Sequence, residues 1–261
     1  MMEVDPEEAG PDKAGPEGTG GEVRSRRPGL VLAWVAFGLV VVAAGAFSVA
    51  RSELLDVDEV RLVGVSSDRG QKMVLEALSV PEGSPMTGID LDAASRRVAA
   101  LPRVAGVELE CDWPGSLVVW VVERVPVVNA SAPDGRLATL DADGMVIEHV
   151  SVPEPDLPTI RVDGVGRPGV RLSGLRPLLD AADAVTDDLA AWIVALVPTG
   201  AGVRAELVGG VEVDLGMGNN YRDEMRALAT ILHRVELSCI VGIDVSVHDI
   251  PVVRRDDLRC S

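Results

Sequence analysis

An uninterrupted apolar run near the start of the chain constrains its organisation more than any other feature. Residues 29 to 50, GLVLAWVAFGLVVVAAGAFSVA, contain no charged or strongly polar side chain. About 20 consecutive apolar residues are enough to cross a bilayer as a helix. The run therefore predicts a single N-terminal transmembrane helix over 29–50.

The charges that flank this run predict its orientation. Arg24, Arg26 and Arg27 precede it, whereas only Arg51 follows closely. Because cytoplasmic flanks are enriched in basic residues, we expect the N-terminus in the cytoplasm and the remainder outside the cell membrane. Residues 1–28, in which Pro, Gly and Glu dominate without apolar periodicity, predict a disordered cytoplasmic tail.

A cleaved signal peptide is the competing interpretation of the apolar run. Ala44-Gly45-Ala46 and Ser48-Val49-Ala50 both resemble the small-residue sites at which signal peptides are cut. Secretory apolar regions, however, usually span about 7–15 residues and follow a short leader. This run is longer and has residues 1–28 in front of it, so an anchor is favoured.

Charge and cysteine content exclude several classes of partner. A formal net charge of −17 argues against nucleic acid, which is held by Lys and Arg side chains that neutralise phosphates. Cys111, Cys239 and Cys260 show no CxxC spacing, so neither a zinc site nor a disulfide framework is indicated. A single bridge between Cys239 and Cys260 stays open.

The segment after the apolar run predicts a small β-α-α-β-β module. Residues 58–65 alternate as a strand, and two helices follow, the first capped by Ser67 or Asp68 and the second by Asp90. VAGVELEC and SLVVWVVERV then form a β-hairpin around DWPGS, in which Pro114 and Gly115 suit a type II turn. Glu123 and Arg124 are interpreted as an exposed ion pair at the strand end.

From Val128 onward, short alternating runs and turn residues predict a mostly β region. Gly209-Gly210 predicts a hairpin of the two-residue kind. Helices are expected after Ser173 and after Asn220, and residues 240–247 predict the last strand. Further turns are expected at Asp134-Gly135 and Asp143-Gly144, and residues 256–261 are expected to be loose.

Residues that could carry out catalysis or hold a metal do not form any known motif. His149, His233 and His248 lie outside HExxH or HxH arrangements, and no G-x-S-x-G elbow is present. TLDADG resembles the start of a calcium loop, but Val150 occupies the position that requires Glu. We therefore expect no enzyme activity, cofactor, metal or small-molecule substrate; a secreted hydrolase would need a cleaved signal and a catalytic dyad.

The valine-rich hairpin carries a family resemblance. LPRVAGVELECDWPGSLVVWVVERVPVV, residues 101–128, looks like the LP-x-V, WP-x-[ST]-L and ER-x-PV signature at the end of the POTRA domain of the FtsQ/DivIB family of bacterial cell-division proteins. DADGMV, ELVGGVEVDLG and GIDVSVHDIPVVR continue it in the expected order. The chain departs from the pattern at Glu110, Cys111 and Asp112, where relatives commonly have a basic residue, and at Arg222, where many have lysine.

This resemblance implies an α+β protein with a POTRA domain over 51–127 and a β-rich domain with two helices over 128–255. It also implies a non-enzymatic divisome scaffold that binds FtsB/DivIC-like and FtsL-like ectodomains, helps regulate septal peptidoglycan synthesis and is enriched at the division septum. The alternative is a membrane-anchored POTRA module that acts in protein transport.

The family also places partner binding near the C-terminus. The matching residues are Ile243, Asp244, Val245, Ser246 and Val247, and the family's aromatic contact would fall on Val247. If this strand lies at a sheet edge, a partner strand can pair with its unused backbone groups. The variant Val245→Pro is then expected to abolish partner binding and leave the POTRA domain folded.

Overall fold

A computed structural model describes residues 28–50, 56–81, 83–218, 221–235 and 237–256. The predicted tail over 1–28 and the predicted loose terminus over 256–261 lie almost wholly outside these ranges. The six α-helices in the described ranges are α1 (Pro28–Ala50), α2 (Asp68–Leu78), α3 (Leu91–Ala99), α4 (Arg176–Asp183), α5 (Asp187–Ala190) and α6 (Arg222–Leu232). The strands are β1 (Glu59–Val63), β2 (Val104–Asp112), β3 (Ser116–Glu123), β4 (Val128–Ser131), β5 (Leu137–Leu140), β6 (Val146–Val150), β7 (Thr159–Arg161), β8 (Ile193–Thr199), β9 (Gly202–Leu207), β10 (Glu212–Gly216), β11 (Ile240–Asp244) and β12 (Val252–Arg255).

Residues 1–50 and 51–261 form two separate units, and α1 belongs to the first. The predicted helix over 29–50 is present as α1. In the described ranges, no helix meets both the length and the apolarity that crossing a membrane requires. The transmembrane assignment is therefore not confirmed and stays a prediction.

The first sheet has the order β1-β3-β2, with β1 parallel and β2 antiparallel to the central strand. Both predicted helix caps are confirmed: Ser67 Oγ accepts from Gly70 N at 3.1 Å, and Asp90 Oδ1 accepts from Ala93 N at 2.9 Å. The helices bury their apolar faces against one side of the sheet. This first core contains Val74, Leu78, Ala94, Val98, Leu117, Val119 and Val121.

The turn between β2 and β3 differs from the prediction. The Trp113–Pro114 bond is cis and Gly115 does not adopt a positive φ, so the predicted type II turn is wrong. A close approach explains the glycine instead. A Cβ on Gly115 would lie 2.4 Å from Oδ2 of Asp58, and Gly115 O accepts from Asp58 N at 2.8 Å.

The second sheet has nine strands in the order β12-β11-β10-β9-β8-β7-β4-β5-β6. Helices α4 and α6 contribute Leu178, Leu179, Met225 and Leu228 to its core. Leu140, Ile160, Leu196, Leu207, Leu215 and Ile243 supply much of the strand side of this core, and each is fully buried. Val127 packs against this second core, one residue before the boundary predicted near 127/128, which stays a prediction.

Three details of this sheet correct the sequence-based expectations. Leu207 N donates to Val211 O at 2.8 Å, so three residues rather than two separate the paired ends of the β9–β10 hairpin. The last predicted strand, 240–247, ends at Asp244, and a further strand, β12, follows it. The short helix α5 was also not predicted.

Two ion pairs connect the smaller sheet region to the larger one. Arg103 Nη2 contacts Glu148 Oε1, and Arg124 Nη1 donates to Asp141 Oδ2 at 2.7 Å. Glu123 instead accepts from the Ser66 hydroxyl at 2.6 Å. The expected Glu123–Arg124 pair is wrong, because Arg124 pairs with Asp141 and Glu123 accepts from Ser66.

Candidate functional site

The residues predicted to bind a partner do not form a sheet edge. Ile243 and Asp244 lie in β11, which is parallel to β10 on one side and antiparallel to β12 on the other. Val245 is fully buried and its N–H donates to Asp214 O at 3.0 Å. Only Ser246 and Val247, which follow the strand, are exposed. The premise that residues 243–247 form an edge is wrong.

Strand β12 occupies that edge. Its register pairs Ile243 with Val253 and Asp244 with Val252, and the described residues place no further strand beyond it. Val253 is half-buried and packs against the main core, whereas Val252 is 52% exposed. The outer strand of this side of the sheet is therefore β12 rather than β11, and partner binding at residues 243–247 stays a prediction.

Backbone direction identifies which groups of β12 face outward. Asp256 N donates to Cys239 O at 3.1 Å, so the N–H of Arg255 points away from β11. By the same alternation, the N–H of Val253 also faces the open edge, while that of Arg254 faces β11. An added strand would meet these two donors and the carbonyls of the same two residues.

The opposite edge of the sheet is partly covered. Val146 N, in β6, donates to Val170 O at 3.0 Å, and Gly169 N donates to Val146 O at 2.8 Å. Leu172 N bonds to Gly144 O at 2.9 Å, so the loop before α4 occupies part of that edge. Among the described residues, by contrast, no segment pairs with the outer edge of β12.

Sequence signals for this edge strand were present and were missed. Pro251 stands immediately before β12, and Arg254 and Arg255 lie within it. Proline is tolerated at the start of an edge strand, and charged side chains are common on edge strands because they discourage aggregation. The strand is only four residues long, which hid its alternation.

An ion pair links β12 to a strand two positions inward. Arg254 Nη2 lies 3.8 Å from Asp214 Oδ2, and Arg204 Nε donates to Asp214 Oδ1 at 3.0 Å. The Arg254 side chain crosses over Gly242, since a Cβ there would lie 2.6 Å from Nη2. The absence of a side chain at Gly242 thus leaves room for Arg254 of β12 to reach Asp214 of β10.

Asp244 organises the chain between β11 and β12. Its Oδ1 accepts from the Ser246 hydroxyl at 2.6 Å and from Ser246 N at 3.0 Å. The hydroxyl bond, then the N–H bond and the charge of Arg254, hold the pKa of this carboxyl below its usual value. Asp244 therefore acts as a turn-forming residue in this structure.

A groove of about 610 Å³ lies beside the edge strand, between α6 and residues 248–253. Ala227, Ile231 and Val253 give it an apolar lining. Its charged side chains are two cations and two carboxylates, Arg226, Arg234, Asp223 and Asp249. Arg226 is paired with Asp223 at 2.6 Å. The groove and the edge together form a surface that suits an extended chain with an adjoining apolar segment.

Groups that could perform catalysis are dispersed in the described part of the chain. His149 Nε2 lies 2.8 Å from Gly166 O, His233 follows α6, and His248 lies 3.6 Å from Asp249. No three His, Cys, Asp or Glu side chains converge there as a potential metal site. These contacts are those of turns and surface pairs.

The cysteines differ in state. Cys239 is disulfide-bonded, whereas Cys260, with which a bridge was left open, lies outside the described residues. Cys111 is free and half-buried, and burial raises the pKa of its thiol.

Comparison with known proteins identifies the family. A family model described as POTRA domain, FtsQ-type, matches residues 55–124. The cell division protein FtsQ of Mycolicibacterium smegmatis is 30% identical over 226 residues, covering 86% of this chain and 65% of that protein. The chain thus spans slightly less than two thirds of that relative's length.

Two Streptomyces relatives are covered more completely. The cell division protein FtsQ of Streptomyces collinus is 30% identical over 213 residues, covering 78% of this chain and 75% of the relative. That of Streptomyces venezuelae is 29% identical over 214 residues, covering 79% and 78%. With this identity over most of both chains, the protein belongs to the FtsQ family of cell-division proteins.

Proposed function

We propose that this chain is a non-enzymatic scaffold of the divisome that binds FtsB/DivIC-like and FtsL-like ectodomains and so helps regulate septal peptidoglycan synthesis. Family membership supports a role in division. The observation that carries the binding proposal is the open edge of β12, whose outward N–H groups at Val253 and Arg255 can pair with a partner strand.

In this proposal the partner pairs with β12 rather than β11, and the residues that join the two strands remain part of the interface. Asp244 and Ser246 shape the turn into β12, and Val247, 58% exposed, and Ile250, 72% exposed, stand on the loop beside it. A partner strand on β12 would reach these apolar side chains. Residues 243–247 would thus act mainly by holding β12, while Val247 would add direct contact.

The groove beside α6 offers a second part of the same interface. An apolar segment next to the partner strand would cover Ala227 and Ile231, and an acidic side chain on it would meet Arg234. Arg234→Glu is then expected to weaken binding about threefold to tenfold, with a smaller effect at high salt because exposed charges are screened.

Arg255→Pro tests the edge directly. Proline removes the outward N–H and fills the space of an incoming strand, but leaves the bonds between β12 and β11 intact. With the full chain in detergent, we expect affinity for the partner ectodomains to fall about tenfold or more, which corresponds to at least ~1.4 kcal/mol. Arg255→Ala keeps the N–H and should bind within about twofold of the parent.

Val245→Pro is a poorer test than the sequence suggested. The Val245 N–H is bonded to Asp214 O, so its loss would damage the sheet as well as any interface. Equal binding by Arg255→Pro and Arg255→Ala would remove the β12 edge from the proposal.

The proposed location is the cell membrane, with the N-terminus in the cytoplasm and residues 51–255 outside. Arg24, Arg26 and Arg27 ahead of the apolar run support this orientation. A fluorescent protein fused to the N-terminus should give a band at the division site of growing host cells. Uniform envelope fluorescence would instead favour the protein-transport alternative.

A further inference from the structure

The smaller sheet has one bare face with exposed apolar side chains. Helices α2 and α3 cover the other side of β1-β3-β2. On the bare side, Trp120 is 47% exposed, Val122 63% and Val63 37%. Val63 pairs in register with Trp120, so these side chains are neighbours. This surface is distinct from the β12 edge and does not depend on the function proposed for that edge.

Two carboxylates border these side chains. Glu108 is the register partner of Trp120, and Glu110 is that of Val118, one row along the same face. Neither carboxylate forms an ion pair within the described residues. The nearby cation, Arg61, lies 3.0 Å from Glu59 and 3.7 Å from Asp112 and is already engaged. We call Val63, Glu108, Glu110, Trp120 and Val122 the Trp120 face.

Charge restricts what can cover the Trp120 face. Two free carboxylates repel phosphates, so neither nucleic acid nor an anionic lipid surface is favoured. A second copy is also disfavoured, since the chain carries a formal net charge of −17 and a symmetric contact would bring like carboxylates together. A covering partner must therefore supply positive charge as well as apolar surface.

A tryptophan beside a carboxylate is well suited to bind a cationic side chain. A guanidinium or ammonium group placed over the indole gains a cation–π contact, and Trp is the best aromatic side chain for it. The same cation can pair with Glu108, whose Cβ lies about 4.5–5.5 Å from that of Trp120 in a register pair. Val63 and Val122 provide apolar contact on either side.

We propose that the Trp120 face docks a basic segment of another protein, in which Arg or Lys side chains alternate with apolar ones. A cation of the segment stacks on Trp120 between Glu108 and Glu110. Its apolar side chains cover Val63 and Val122.

A peptide probe tests this chemistry on the full chain in detergent. The probe is a ten-residue peptide that alternates Arg and Leu, and an otherwise identical Glu/Leu peptide is the first control. Binding is followed through the Trp120 indole N–H signal, assigned by its loss in Trp120→Phe. We expect only the Arg peptide to bind and to shift this signal.

Matched variants separate the face from overall acidity. Glu108→Gln with Glu110→Gln removes two charges from the face, while Glu76→Gln with Asp92→Asn removes two exposed charges from the helical side. We expect the first pair to weaken Arg-peptide binding at least about fivefold, and the second to change it less than about twofold. Equal effects of the two pairs would mean attraction by net charge alone and would overturn the proposal.

Cross-linking in the host tests for a natural occupant. A photoreactive amino acid replaces Val122, and a control chain carries it at Leu75, 43% exposed on α2. We expect an adduct at 122 with a protein segment that contains Arg or Lys beside apolar residues. The adduct should fall at least fivefold with Glu108→Lys and Glu110→Lys, and return when the partner's basic residues are changed to Glu.

Three results of the cross-linking experiment would contradict the proposal. The first is a yield of protein adduct at 122 no higher than at Leu75. The second is an adduct with lipid or with a second copy of this chain. The third is a protein adduct that charge reversal leaves unchanged. Unaltered hydrogen exchange in β3 of each variant ensures that lost binding is not lost folding.

Discussion

Arg124 Nη1 donates a 2.7 Å hydrogen bond to Oδ2 of Asp141, and both side chains are largely buried, with 19% and 10% exposed. The other carboxylate oxygen accepts from Asp143 N at 2.9 Å and from Met145 N at 2.8 Å. One carboxylate therefore shapes the turn between β5 and β6 and also holds the segment that follows β3.

Arg124→Ala should lower the free energy of unfolding by about 1–3 kcal/mol, because it leaves a mostly buried carboxylate without its cation. Asp141→Asn keeps the oxygen that accepts from the turn and loses the charge, so it should cost less than Asp141→Ala. Chemical denaturation of the full chain measures each difference. An unchanged midpoint and slope in Arg124→Ala would contradict this role.

Asn129 and Thr139 are neighbours, and we expect their substitutions to change the free energy of unfolding in opposite directions. Asn129 is fully buried and makes three bonds: Nδ2 to Glu154 O at 2.8 Å, Nδ2 to Leu157 O at 2.9 Å, and Oδ1 from Glu154 N at 2.9 Å. Asn129→Ala should lower the free energy of unfolding by about 2–4 kcal/mol, since three partly buried hydrogen bonds are lost.

Thr139 provides the matched control, because it is the register partner of Asn129 and is 2% exposed. Its hydroxyl has no hydrogen-bond partner among the described residues. Thr139→Val should therefore be neutral or stabilise the protein by up to about 1 kcal/mol. The same denaturation series tests both, and a cost above 1 kcal/mol for Thr139→Val would indicate an unseen partner.

Local signals explain how much of the fold could be predicted. Ser67 and Asp90 each accept from the backbone N–H three residues later, which is a short-range interaction that sequence displays directly. The β2–β3 hairpin was equally visible, because both strands lie within one alternating stretch. The family signature falls in this hairpin, so family and first sheet were predicted together.

Features that depend on distant contacts could not be predicted. Position 115 requires glycine because Asp58, far back in the chain, approaches it, and not because its φ is positive. Arg124 is adjacent to Glu123 in sequence, yet its partner is Asp141 across the fold. The edge strand was placed one strand too early, since whether β11 or β12 is the edge depends on pairing that short alternation does not encode.

Substitutions of Gly242 and Arg254 are expected to have non-additive effects on the free energy of unfolding. In the parent chain, Gly242→Ala puts a Cβ against the Arg254 guanidinium and displaces it from Asp214. The cost should stay below about 1 kcal/mol, because the pair is partly exposed and the side chain is flexible. In an Arg254→Ala background the obstacle is gone, so Gly242→Ala should become neutral or stabilising by up to about 1 kcal/mol.

A double-mutant cycle on unfolding free energy measures this coupling, and hydrogen exchange of Val252 and Arg254 reports on the β11–β12 pairing. Purely additive effects would mean that Arg254 does not depend on the space above Gly242.

Asp244 predicts a dependence of the β11–β12 turn on acidity. The pKa of Asp244 in the folded chain lies below its usual value of 3.8, first because the Ser246 hydroxyl donates to it. A lowered folded-state pKa means that the ionised carboxylate stabilises the fold; its contribution is complete above the unfolded pKa and is lost as the pH falls through the folded one. Protection of the Ser246 amide should therefore be constant from neutral pH down to about pH 4 and fall below it. Asp244→Asn should give weaker protection at neutral pH and little change on acidification. Parallel pH profiles for the parent and Asp244→Asn chains, followed by NMR, would show that the turn is held by other contacts.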